Sequence, residues 1–551
     1  MKVVNFAIWT MVILFIFQSE NLLSQEIEVE STYEISGKAK RGELQNVFYD
    51  ENGYVLSYVI RSSKRMIKLE EYYFDSDFRF IKMEEEEIEL EKAKTKWKWF
   101  KGEAEGTEKR LLRVENNLTG QVVLKQGVFV QKVDYFNGVS WWDFKVLDKT
   151  KPKDPSGRRL TLLASKTDEP TTNITYSGWS WLGNDRTKAF SDATGDVTII
   201  CSVLPKIKDM RLGVSVPPYA VMRISVDDQT IKSEHYFGDE EFGGKPQQLI
   251  HTNNLSNGNM ALVFAPTGGP GMKKIMDPDP LNFTYMEVDP ESSSIVKTIP
   301  FKSLNALWAI DAVVSNGEDI YIYGPSENKK NDKHANLQTA GKYSQFCLAK
   351  FSGNTMDWIT NTSLDEFASK LKGPPSQKKI PEYSGKKFII GEFMASSSGD
   401  ILINGQNTKT SKDGVIFKDV FAFHFDGNGK LKAQYGVDIL ETNKHAKMIV
   451  TESLFRESQD GKRIAWIITE VAGAKGAWGN DPRALNYARI ASIDLEQADL
   501  SEFQSLGQSK EAKYFLENSF PVLPTTVGGD KLTFFGSNKA GKVIWFSRVI
   551  L

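Results

Sequence analysis

The chain has 551 residues and a formal net charge of −2, with 69 Lys and Arg against 71 Asp and Glu. So even a balance supplies no global field for nucleic acid or an anionic membrane surface. Aromatic residues make up 11% of the chain, including 33 Phe and 12 Trp, which argues against a disordered polypeptide and favours strand.

Residues 1–24 read as an export signal. Lys2 gives a basic start, Phe6 to Phe17 is apolar apart from Thr10, and cleavage after Ser24 leaves Gln25 first. Leu22, at position −3 of that cut, departs from the small-residue rule. The apolar run is too short to span a bilayer comfortably. No Cys follows it to carry a lipid, and no later segment has the composition of a membrane helix. The expectation is an exported protein of Gram-negative bacterial type, periplasmic, surface-associated or secreted. Two cysteines, Cys201 and Cys347, do not make a disulfide framework for a chain of this length.

From residue 25 onward one hairpin recurs. Its turn is readable seven times, at Asp50-Glu51-Asn52-Gly53, Ala193-Thr194-Gly195-Asp196, Ser256-Asn257-Gly258-Asn259, Ser315-Asn316-Gly317-Glu318, Ser397-Ser398-Gly399-Asp400, Gln459-Asp460-Gly461-Lys462 and Val527-Gly528-Gly529-Asp530. Asn-Gly, Gly-Gly and Asp-Gly supply the positive φ that tight hairpins need. Each unit is expected to hold four strands. One copy runs Asp311 to Ser315, Asp319 to Tyr323, Ser344 to Phe351 and Met356 to Asn361. Another runs Glu392 to Ala395, Ile401 to Asn404, Val420 to Phe425 and Leu431 to Tyr435.

Second strands such as Ile320-Tyr321-Ile322-Tyr323 and Met260-Ala261-Leu262-Val263-Phe264 are apolar on both faces, whereas fourth strands such as Ile231-Lys232-Ser233-Glu234-His235-Tyr236 are wetter. A sandwich needs one wet face on every strand, and a solenoid needs shorter, more regular coils. Sheets buried on both faces with a wet outer strand are what radially packed blades require. The reading is all-β: a single β-propeller of four-stranded antiparallel blades over 25–551, eight favoured and seven the alternative. The eighth, atypical unit fills Leu111 to Ala164, with Arg159 to Leu163 as its last strand. The final unit ends on its third strand, Ile544 to Leu551, and Glu26 to Ile35 is expected to supply the missing outer strand and close the ring. A short helix is expected near 363–373, with Ser363 and Glu366 as a capping box and Gly373-Pro374-Pro375 as the stop.

The unit resembles the degenerate blades of secreted bacterial propellers, including those similar to the quinoprotein repeat. Gly353-Asn354-Thr355-Met356-Asp357-Trp358 is similar to the Gly-and-Trp ending of that repeat. The other units lack the Trp, so the quinoprotein likeness covers one blade. Neither paired cysteines nor repeated Trp docking accompany it, and no cofactor is expected.

Alternating strand direction puts turns one-to-two and three-to-four on one face, and loops two-to-three and four-to-one on the other. The first class is short throughout. The second carries the long insertions Pro205 to Pro218, Pro266 to Leu281, Pro325 to Lys342, Gly405 to Phe417 and Ala472 to Ala484, and the connector Ser363 to Lys387. Function concentrates on loops held by a rigid scaffold. In Ala474 to Arg483, Trp478 is flanked by small residues in a polar loop and is a candidate stacking platform, with Asn480, Asp481 and Arg483 as polar partners. The alternative is a Trp folded over the base of its own loop. Lys273, Asp277 and His334 are further candidates on loops of this face.

Gly268-Gly269-Pro270-Gly271 lacks the strand-to-helix context of a phosphate loop. The five histidines have no ligand spacing, and Asp426-Gly427-Asn428-Gly429 lacks the later acidic ligand of a calcium loop, so no metal is expected. Ser458 to Trp466 misplaces the Gly of a sialidase-type Asp-box, and no Gly-x-Ser-x-Gly is present. The leading expectation is an exported, non-catalytic propeller that binds a protein, peptide or glycan on its long-loop face within a cell-envelope assembly. The alternative is a glycan-cleaving enzyme with acidic residues near the central channel.

Overall fold

The computed structural model describes residues 26–89 save 51 and 63–65, then the strands 117–124, 128–134, 139–146, 159–166, 186–190 and 197–204. It also describes 217–550 save 225–230, 239, 246, 267–278, 328–342, 386–387, 412–413, 441–446, 448–449, 476–482, 518–520 and 524–530. The export signal lies outside these residues. The chain divides into two compact units: 67–87 and 364–551 with the N-terminal 62 residues in one, and essentially 88–363 in the other.

Eight sheets, all antiparallel apart from one short added strand, are found among the described residues. The first comprises Glu43–Asp50, Gly53–Ser62, Met66–Phe74 and Phe80–Glu89. The second comprises Asn117–Leu124, Val128–Asp134, Val139–Val146 and Arg186–Phe190, and the third Arg159–Lys166, Val197–Leu204, Tyr219–Ile224 and Ile231–Phe237. The fourth comprises Gln247–Asn254, Met260–Pro266, Asn282–Asp289 and Ser294–Lys302. The fifth has a split first strand, Leu307–Trp308 and Ala312–Asn316, then Asp319–Glu327, Gln345–Ser352 and Thr355–Ser363.

The sixth holds Phe388–Ala395, Ile401–Ser411, Gly414–Phe425 and Leu431–Val437, and the seventh Ser453–Glu457, Arg463–Lys475, Arg483–Asp494 and Gln504–Ser505. The eighth holds Tyr514–Leu516 and Val522–Leu523, then Lys531–Asn538, Val543–Ile550 and, as its outer strand, Glu26–Glu34. That last pairing runs from Glu26–Ile550 to Glu34–Val543.

Successive sheets in each unit bury their faces against one another, the blade construction of a β-propeller. Leu402, Ala422 and Tyr435 of the sixth sheet pack with Phe455, Trp466 and Ala491 of the seventh. Ile467 and Ile490 of the seventh meet Phe534 and Trp545 of the eighth, and Phe535 and Phe546 of the eighth meet Tyr54 and Phe74 of the first. In the other unit, Val221 and Phe237 pack with Leu262 and Phe264, and Val263 and Tyr285 with Ile322 and Cys347. The second strand Met260–Pro266 is buried at every position, as its sequence requires. A helix, Leu364–Ser369, follows the fifth sheet, and Leu371–Lys372 then adds a parallel strand outside Leu431–Val437.

Three expectations are corrected. Arg159–Lys166 is not the last strand of the second sheet: it pairs with Val197–Leu204 as the first strand of the third. The second sheet is completed instead by Arg186–Phe190. Ala193 to Asp196 is therefore not a hairpin turn, because the strands on its two sides lie in different sheets. Gly405 to Phe417 and Ala472 to Ala484 are not loops where they are described, because strand pairing continues to Ser411–Gly414 and Lys475–Arg483, while 412–413 and 476–482 lie outside the described residues. Their polar and Gly-rich sequences look like loop because a ribbon outside the blade has two wet faces.

Candidate functional site

The site is built on the long-loop ends of the sixth and seventh sheets. In the sixth, Val420 is the last residue of its strand to pair with the fourth strand, yet the second and third strands stay paired from Thr408–Phe417 to Ser411–Gly414. In the seventh, the two middle strands stay paired from Thr469–Ala488 to Lys475–Arg483. At about 3.3 Å per residue that two-stranded ribbon is roughly 20 Å long. In sequence, Trp478, Asn480 and Asp481 fall between its two strands, outside the described residues.

A buried ion pair fixes the base of this ribbon. Arg489 Nη1 lies 2.9 Å from Glu470 Oε2, with 9% and 1% of the two side chains exposed. The strands set this pair diagonally, since Glu470 faces Tyr487 and Arg489 faces Ile468. Glu470 Oε1 accepts from Leu440 N at 2.8 Å, and the Arg489 guanidinium stands 4.9 Å from the centre of the Phe503 ring. The connector after the sixth sheet is thus pinned to the ribbon base at Leu440. Its other end is held at Thr451, whose N donates to Gln406 Oε1 at 3.0 Å, while Gln406 Nε2 donates to Lys418 O at 2.7 Å.

Apolar side chains are left uncovered here: Ile389, Val415, Leu440 and Val450 are 42–56% exposed. Beside them, burial and then the neighbouring Asp438 raise the carboxyl of Asp419 above its ordinary range. Ribbon, pinned connector and exposed apolar groups suit the docking of a macromolecule.

The opposite face is laced shut. Ser397 N and Oγ both donate to Glu457, at 2.9 and 2.5 Å, joining the first turn of the sixth sheet to that of the seventh. Ser256 and Ser315 make the equivalent link, Oγ to Oγ at 2.7 Å, between the fourth and fifth. Inside that face of the sixth sheet, His424 is fully buried between Asp400 Oδ1 at 3.1 Å and the Tyr435 hydroxyl at 3.2 Å. Burial holds its imidazole down at about 4, so it is neutral at pH 7.

Of the residues singled out from sequence, Trp478, Asn480, Asp481, Lys273, Asp277 and His334 lie outside the described residues. The backbone of Arg483 is described: it opens the returning strand of the ribbon, opposite Lys475. The Glu470–Arg489 pair was missed by sequence reasoning. Its signal was a single charge in each of two facing, otherwise apolar strands, Ile467 to Val471 and Tyr487 to Ile493. Among the described residues, no group of three or more His, Cys, Asp or Glu side chains is arranged to hold a metal, and no helix is long and apolar enough to cross a membrane.

No protein-family model matches the chain, and no curated protein matches its sequence. Solved structures that it is similar to include the Dos1 propeller, at 10% identity over 79% of this chain and 94% of that one, with a TM-score of 0.28. The WD40 domain of SCAP from fission yeast matches at 8% identity over 96% and 98%, TM-score 0.28. The GH93 alpha-L-arabinofuranosidase of Fusarium graminearum matches at 9% identity over 66% and 91%, TM-score 0.25.

Proposed function

We propose that this protein is an exported, non-catalytic propeller that binds a protein, peptide or glycan on its long-loop face, within a cell-envelope assembly. The observation that carries this reading is the asymmetry between the two ends of the sixth and seventh sheets. One end is trimmed and laced blade to blade. The other projects two ribbons, one of them seated on a buried ion pair, with exposed apolar side chains around them. A scaffold that rigidifies an exposed projection supports binding without large ordering costs.

The test is partner capture from envelope extracts, followed by footprinting with cross-linking or hydrogen exchange. Trp478→Ala is expected to weaken binding by about 2 kcal/mol or more and to leave melting unchanged. Asn428→Ala, in a turn of the trimmed face, is expected to change neither. A footprint on 50–53, 397–400 and 426–429 would overturn the assignment of the face. Export is tested separately, by N-terminal sequencing of the mature protein, where Gln25 is the residue expected first.

A further inference from the structure

Neighbouring sheets are clasped along their first, inner strands, and the clasp is built from two different chemistries. In the unit spanning essentially 88–363, Asn253 on the inner strand of the fourth sheet meets Val313 on that of the fifth. Its amide accepts from Val313 N at 3.0 Å and donates to Val313 O at 2.6 Å. One neutral side chain thus satisfies both backbone groups of the residue it faces.

In the other unit, the sixth and seventh sheets make the same clasp with charges. Ile390 pairs with Gly405 and Phe393 with Ile403, so Gly391 and Glu392 together face Asn404 in a bulge. Asn404 Oδ1 accepts from Glu392 N at 2.9 Å, and Asn404 Nδ2 donates to Ser453 O at 3.1 Å. A Cβ on Gly391 would stand 2.6 Å from that Oδ1, so the bulge is shaped for glycine. It aims Glu392 at the seventh sheet, where Oε2 accepts from Phe455 N at 2.5 Å. A carboxylate cannot also donate to the carbonyl. Arg456 supplies that bond: Nη1 donates to Phe455 O at 2.5 Å and lies 3.4 Å from Glu392 Oε1.

An amide closes this clasp completely, whereas a guanidinium closes it with one nitrogen. Nε–H and Nη2 of Arg456 meet no acceptor among the described residues, and 45% of the side chain is exposed. The fork is therefore held from one side and open on the other. Glu392 engages one oxygen on Phe455 N and the other on the guanidinium, so the pair presents little net charge. What it presents is two parallel donors in a fixed plane. A carboxylate matches that plane with two charge-assisted bonds, which an ammonium cannot reproduce.

We propose that the open edge of the Arg456 guanidinium receives the carboxylate of a ligand, at the inner strands of the sixth and seventh sheets. An acidic peptide and a sugar acid share this chemistry. The site goes beyond the docking face described above. Arg456 lies at the trimmed end of its strand, just before the turn closed by Gly461 N to Ser458 O. Trp478→Ala probes the ribbon and Arg456 probes the inner strands, so either reading fails without the other.

The experiment is saturation-transfer NMR on the mature chain with three probes: N-acetylglutamic acid α-amide, its uncharged counterpart N-acetylglutamine α-amide, and methyl glucuronoside. At least one of the two acids is expected to bind and the glutamine probe is not; which acid binds tells peptide from sugar as the source. Arg456→Lys, which keeps the charge and loses the fork, is expected to weaken the acid several-fold, and Arg456→Gln to abolish its signal. Binding of neither acid, equal binding of the glutamine probe, or an unchanged affinity in Arg456→Lys would each overturn the proposal. Should the variants fail to fold by circular dichroism, phenylglyoxal modification of the unmodified chain, mapped by mass spectrometry, decides. The acid is expected to slow the reaction at Arg456 and leave the exposed Arg79 unaffected, and equal rates with and without it at Arg456 count against the site.

Discussion

Glu470 and Arg489 make the clearest case of one side chain depending on another. The guanidinium is 9% exposed, and its ion pair is with Glu470. Glu470→Ala is expected to leave it buried without that partner and to cost about 3–5 kcal/mol, read as a lowered urea midpoint. Replacing both, as Glu470→Leu with Arg489→Met, is expected to cost much less, since no charge then stays behind. The histidines set a pH dependence. His251 and His424 fall from 6.5 to about 4 on folding, chiefly through burial. The unfolded chain therefore takes up protons first. Stability from these groups is complete above pH 6.5 and is lost as pH falls toward 4, at up to about 1.4 kcal/mol per pH unit for each. Urea midpoints at pH 7, 5.5 and 4.5 should fall in that order. A midpoint unchanged between pH 7 and 4.5 contradicts the neutral buried state.

At the level of strands, the N-terminal segment is an integral part of the eighth sheet. Glu28 receives Lys531 at 2.6 Å and Arg548 at 2.6 Å, and Arg548 continues to Asp77 at 2.8 Å beyond the Phe78 ring. Deleting 26–34 is expected to bare the edge of Val543–Ile550, to lower the melting temperature and to raise aggregation in size-exclusion chromatography. Gly324→Ala is expected to disrupt the split first strand of the fifth sheet, because the new methyl meets a carbonyl rather than a flexible side chain. This outer strand was legible because a final unit that stops at its third strand leaves an edge to fill. The inner strands 312–316 and 388–395 were legible from their turns. Crossing of strands between the second and third sheets was not, since the sequence of 159–166 suits either neighbour equally. The ribbons were hidden by the same periodicity argument that found the blades: it detects burial, and a ribbon in water has little.

Across the whole chain, sheet order fixes the two cysteines apart. Cys201 lies in the second strand of the third sheet and Cys347 in the third strand of the fifth, with the fourth sheet packed between. Cys347 is a free, buried thiol. Intact mass under non-reducing conditions is expected to show no Cys201–Cys347 bond; its presence would refute this placement. The stretches that hold most of the candidate residues lie outside the described residues; sequence marked them only by what they lack, an apolar period, and that pattern carries no ligand chemistry.

The pairing of Glu26 with Ile550 also has a consequence in time. Glu26–Glu34 leaves the ribosome long before its partner Val543–Ile550 and can be placed only after that partner has been made. At about 5–20 residues per second, that is a wait of roughly half a minute to two minutes, with one strand idle and the facing edge not yet in existence. Closing so long a loop adds little equilibrium cost, because the entropy grows only with the logarithm of length. The delay is kinetic: the eighth sheet stays unfinished, its outer strand waiting, until synthesis reaches Val543–Ile550.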